Sequence, residues 1–147
     1  MMKKILAILT ALLFVAAAAS AEEETLLEKT VRIADDGENL GPINEDDMLD
    51  IIGIGPDEYT DYAYLADYNA LSAREVIVVR AKDEDAAKTI AEKLENYREQ
   101  RMRETRNYQP EAYRVLNEAE VLQKDLLVVL SIAAPDPAEA ELLLQEE

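Results

Sequence analysis

Cysteine, histidine and tryptophan are absent from this 147-residue chain, and its one phenylalanine is Phe14. Without cysteine there is no disulfide framework and no thiolate; without histidine, the serine–histidine relay and imidazole metal sites are excluded as well. Catalysis would fall to carboxylates, tyrosine, lysine, arginine and hydroxyls. Basic side chains are scarce, 15 Lys and Arg against 32 Asp and Glu, for a formal net charge of -17. The only four glycines, at 37, 41, 53 and 55, fall in one short window, which concentrates irregular backbone there. Beyond the N-terminus the longest apolar run, residues 126–134, is far below the roughly 20 residues a membrane span needs.

The N-terminus has Lys3 and Lys4, an apolar stretch over residues 5–19, and then Ala19-Ser20-Ala21 before three glutamates. These are the positive, hydrophobic and small-residue regions of a secretory signal peptide. The expected division is a signal peptide at 1–21, an acidic segment and loop at 22–43, and an α+β domain at 44–147. Cleavage after Ala21 leaves 13 basic and 32 acidic side chains, a net charge of -19. A lipoprotein would carry cysteine directly after its signal, so the expected product is extracytoplasmic, not lipidated and not membrane-spanning. Its charge is uneven: -13 over 22–70, +1 over 71–114 and -7 over 115–147.

Patterning gives the element order. Residues 22–33 fit a short helix or strand, and 34–43 read as loop from their Gly, Pro, Asp and Asn content. Asn44 is a helix N-cap followed by three acids, and Gly53 ends that helix. Residues 60–68, rich in tyrosine, read as a strand, and residues 75–80 hold four consecutive β-branched residues, the pattern of a strand covered on both faces. Asp83 caps the best helix, over 84–107, with a stripe of Ala87, Ile90, Ala91, Leu94 and Tyr97. A short helix from Pro110, a hairpin turning at Lys124-Asp125, and a last helix opened by Asp136 or Pro137 complete the chain. The expected fold is α+β, a mostly antiparallel sheet of about four strands covered by helices.

No motif carries a reaction. Gly53-Ile54-Gly55 follows a helix and precedes Pro56, so it reads as a cap and turn and not as a phosphate cradle. Asp35-Asp36-Gly37-Glu38-Asn39 lacks the acid spacing of an EF-hand loop and reads as a solvated acidic turn, with a weak calcium site at extracellular concentrations as the alternative. With so many acids, carboxylate pairs cannot single out a glycosidase, and no cleft aromatics accompany them. No cofactor or metal is expected. The one dense basic cluster is Arg98, Arg101, Arg103 and Arg106, near Tyr108. Cations there complement the helix dipole; as a binding site, Arg98, Arg101, Arg106 and Tyr108 would dock a phosphate or carboxylate by guanidinium forks. Tyr62, Tyr64 and Tyr68 fit one strand face, as core or interface packing.

Ile52-Gly53-Ile54, the tyrosine strand, the run from Glu75 to Asp83, Tyr97-Arg98, Tyr108-Gln109-Pro110-Glu111 and the two closing strands together resemble the domain-of-unknown-function family numbered 4358, over about residues 29–146. The resemblance implies a small secreted or lipid-anchored envelope protein of Clostridia-like Gram-positive bacteria, and it implies no site residues. Many relatives carry the lipobox cysteine that is missing here, so this chain is expected to be released where they are tethered. The reading is a non-enzymatic accessory or binding protein of the cell envelope whose partner is an envelope protein or polymer. The alternatives are an anion- or wall-polymer-binding module using the arginines and, third, a carboxylate-dependent envelope enzyme. Nucleic acid is excluded as a partner by a charge that repels the phosphate backbone.

Overall fold

The central strands of the sheet lie between two helical layers, an arrangement set by two of them, Glu75–Ala81 and Leu127–Ile132, being apolar on both faces. The computed structural model describes residues 22–34, 39–133 and 137–145. The expected signal peptide at 1–21 and the acidic turn at 35–38 lie outside the described residues.

Five antiparallel strands, β1 (Leu40–Pro42), β2 (Tyr59–Asp67), β3 (Glu75–Ala81), β4 (Val121–Lys124) and β5 (Leu127–Ile132), form one sheet in the order β1-β2-β3-β5-β4. This corrects the expected count of about four. The additional strand is β1, in a stretch whose glycine and proline read as loop. Three residues suffice for it because it lies at the sheet edge, where Pro42 needs no outward N–H. Gly41 leaves room for the Tyr68 side chain, whose hydroxyl lies across it; a Cβ there would push that exposed ring aside.

Side-chain parity sorts the core into two clusters. Tyr64, Ile77, Val79, Val128, Leu130 and Ile132 point to one face, where α2 (Glu45–Ile52), α3 (Glu84–Thr105) and α4 (Pro110–Glu118) supply Met48, Ile90, Leu94 and Leu116. Ala63, Leu65, Val76, Val78, Leu127 and Val129 point to the other, covered by Leu26 of α1 (Leu26–Ala34) and by Leu143 of the closing 3-10 turn (Glu141–Leu144), which follows α5 (Pro137–Ala140). Burying one such aliphatic side chain contributes about 1.5–3 kcal/mol, so both faces of β3 and β5 count.

Helix ends follow their sequence signals. Asn44 Oδ1 accepts from the Asp47 amide at 2.9 Å, and Asp83 Oδ1 from the Ala86 amide at 2.8 Å. Gly53 closes α2 at φ 83°, its amide donating to the Leu49 carbonyl. For residues 22–33 the choice between helix and strand falls to helix because Thr25 and Glu28 form a capping box, each side chain bonding the other's amide. Residues 26–34 and 40–42, read as lying ahead of the domain, are therefore part of its sandwich. Among the described residues, no helix is long and apolar enough to cross a membrane.

Candidate functional site

The first residue of β3 places a charge inside the molecule. Glu75 shares side-chain parity with Ile77 and Val79, so its carboxylate points under α3 and is 2% exposed. Burial of an unpaired carboxylate is costly, and here three donors meet it. Tyr64, on the neighbouring β2, donates to Oε2 at 2.9 Å. Tyr97 of α3 donates at 3.0 Å to the same carboxylate. Arg101, one turn further along α3, donates from Nη1 to Oε1, with its guanidinium 5.7 Å from the Tyr97 ring centroid. The two tyrosine hydroxyls are 3.3 Å apart.

Burial dominates the electrostatics of this cluster. It holds Glu75 above the ordinary carboxylate value, against the opposing pull of Arg101, Tyr64 and Tyr97. Burial and then the Glu75 charge push the Tyr97 phenol up to about 12 and raise Tyr64 further still. Both hydroxyls therefore remain protonated donors at any physiological pH. The chemistry this allows is retention: both carboxylate oxygens are engaged, and α3 is pinned to the sheet at the β2–β3 end.

The arginine cluster divides. Arg98 donates from Nη1 to the Leu116 carbonyl at 2.9 Å and from Nε and Nη2 to Glu95, clamping α3 to α4; its side chain is 15% exposed. Arg101 is committed to Glu75. Arg106 is exposed just past α3, and Tyr108 is 84% exposed beyond it. The four candidate residues thus do not converge: 98 and 101 face inward about one turn apart on α3, whereas 106 and 108 lie past the end of that helix at the surface. Arg103 and Arg106, with Met102, Glu99 and Tyr113, line a shallow groove of about 210 Å³. Of the three tyrosines expected on one strand face, Tyr62 and Tyr64 share it, while Tyr68 lies beyond the strand, 76% exposed.

Sequence reasoning missed Glu75 as an internal anchor and gave it no role beyond opening the run at 75–80. The available signal was parity: Glu75 is two residues from Ile77, on the face that α3 covers, and Tyr97 and Arg101 are spaced four apart toward it. Gly53-Ile54-Gly55 is a cap and turn in the structure, with the Gly55 amide donating to Glu58 at 2.7 Å. Lys93 reaches across from α3 to hold Glu58 at 2.6 Å and the Gly53 carbonyl at 2.6 Å. Among the described residues, no group of three or more acids is placed to hold a metal ion.

Comparison with curated proteins and with solved structures returned no match. A family model described as "Domain of unknown function (DUF4358)" matches residues 33–133, from the end of α1 through β5 and including Glu75, Tyr64, Tyr97 and Arg101. By that match over more than half its length, the chain belongs to the DUF4358 family.

Proposed function

We propose that this protein is a secreted, non-lipidated accessory or binding protein of a Gram-positive cell envelope and acts without catalysing a reaction. The observation that carries the reading is the closed Glu75 cluster: the one acid buried among the described residues has its oxygens engaged by Tyr64, Tyr97 and Arg101. A catalytic carboxylate needs access to substrate and an open valence. The N-terminal pattern and the missing lipobox cysteine support release outside the cytoplasm. The acidic surface supports a protein or polymer partner and opposes nucleic acid. In the test, tagged mature protein is incubated with envelope extract from the producing cells. Capture of an envelope protein or wall polymer is expected; no partner, together with hydrolase or transferase turnover by the pure protein, would overturn the reading.

A second reading is anion binding by a smaller arginine set than the sequence offered. It is favoured by the groove that Arg103 and Arg106 line beside Tyr113. Binding of anionic wall polymer that is lost in Arg103→Glu/Arg106→Glu would support it, and unchanged binding would remove it.

A further inference from the structure

The two edges of the sheet are not equivalent. At the β1 edge, Pro42 lacks an N–H and only three residues pair. At the β4 edge no proline intervenes. Lys124 pairs with Leu127 across a two-residue turn, with Asp125 at φ 52°. The pair flanking such a turn is hydrogen-bonded, and bonding then alternates along an antiparallel ladder. Lys124 and Leu122 therefore bond to β5, while Gln123 and Val121 direct their N–H and C=O groups outward.

Each side of that edge opens on a groove. On the α3 side, a groove of about 510 Å³ is lined by Ala91, Glu92, Glu95, Arg98, Glu120 and Val121, among others. On the opposite side, a groove of about 260 Å³ is lined by Leu122, Ser131, Ala140 and three carboxylates, Glu118, Glu120 and Glu141, with no base in its lining. Arg98 is held by Glu95, and Glu118 by Arg114, whereas Glu92, Glu120 and Glu141 are exposed. An added strand sends successive side chains to opposite faces, so its residues would enter the two acidic grooves alternately.

We propose that β4 is a docking edge for an extended basic segment of a partner protein, which adds a sixth strand through Val121 and Gln123 and sets Lys or Arg side chains into the grooves beside Glu92, Glu120 and Glu141. This names the partner surface and class within the binding function proposed above, and it rests on that reading. Charge complementarity selects the occupant. A second copy of this chain would bring the same glutamates against these, on a molecule of net charge -17. Main-chain bonding supplies register, and the carboxylates supply selectivity for basic side chains.

The probe is a synthetic peptide repeating Lys-Lys-Val-Val, which presents lysine on both faces of an added strand, titrated into the isotopically labelled mature protein and followed by amide NMR, with a Glu-Glu-Val-Val repeat as comparison. The expected result is a shift of the Val121 and Gln123 amides, with slowed hydrogen exchange, for the lysine peptide alone. Gln123→Pro removes an outward N–H and is expected to weaken binding at least tenfold. Glu92→Lys/Glu120→Lys/Glu141→Lys leaves the backbone intact, keeps the inference testable if the proline variant misfolds, and is expected to exchange preference toward the glutamate peptide. Absence of shifts at β4 with millimolar lysine peptide, equal response to both peptides, or pairing of β4 with a second copy would overturn the inference. Envelope capture retained in the triple variant would overturn the docking edge while leaving the binding function in place, whereas capture lost in every form would count against both.

Discussion

Replacing Glu75 with alanine should be among the most damaging single substitutions in the protein. Glu75→Ala removes the shared acceptor of Tyr64, Tyr97 and Arg101. Breaking a buried ion pair by deleting one partner costs about 3–5 kcal/mol. Two features of the structure argue for the lower end. The two hydroxyls, 3.3 Å apart, can still bond to each other, and the Arg101 side chain is 23% exposed, so water reaches it. The expected loss is about 3 kcal/mol, or roughly 10 °C in Tm for a domain of this size. Denaturant unfolding should show a lower midpoint at an unchanged slope. The companion variant is Glu75→Leu/Arg101→Met, which removes both charges and keeps apolar volume. It should recover most of the loss, since apolar replacement of a buried pair is often neutral. A Glu75→Ala loss under about 0.5 kcal/mol, or a double variant no more stable than Glu75→Ala, would refute the reasoning. The pH dependence has a definite sign. Because burial raises the carboxyl above its ordinary 4.5, the net stabilisation by Glu75 is greatest below about pH 4.5 and declines as pH rises through the folded value, the remainder being what Arg101, Tyr64 and Tyr97 supply to the carboxylate. The cost of Glu75→Gln should therefore be largest in acid and shrink as pH rises.

Phenolate titration by ultraviolet absorbance should find Tyr97 ionising only near 12 and Tyr64 later still, because burial and the Glu75 charge raise both. Stability from these raised phenols should be fully present below pH 10 and lost as pH rises through about 12; ionisation of Tyr97 near 10 in the folded protein would contradict the cluster. Arg98→Ala, which breaks the clamp to the Leu116 carbonyl, should lower stability by about 1–2 kcal/mol, whereas Arg106→Ala should change it by less than about 0.5 kcal/mol in the same denaturation assay. Asp83→Ala should cost about 1 kcal/mol by removing the cap on the Ala86 amide, and Asp83→Asn should restore most of it.

The two-faced core was legible because residues 76–79 and 126–130 are apolar without alternation, a pattern that only a strand covered on both sides explains. The caps at Asn44, Gly53 and Asp83 were legible because each residue type has one dominant local use. The hairpin was placed one residue early: its turn residues are Asp125 and Leu126, and the aspartate at positive φ, not the lysine, marks it. β1 was invisible because a three-residue edge strand gains its stability from the neighbouring strand and not from its own composition. The arginines were read as one cluster because they are close in sequence, but a helix distributes such residues around its axis. Glu75 was the largest omission, since a charge ending an apolar run normally marks the strand's exit into water. Only partners from β2 and α3, far away in sequence, reverse that meaning.

A photo-reactive residue introduced at Gln123 in the living producer cell tests the central claim, function by binding at the surface outside the cytoplasm, most directly. Mass spectrometry of the cross-linked products should identify an extracytoplasmic protein joined through an extended basic segment. Cross-links to a cytoplasmic protein, or no cross-link from Gln123 or from the same probe at Arg106, would contradict the account.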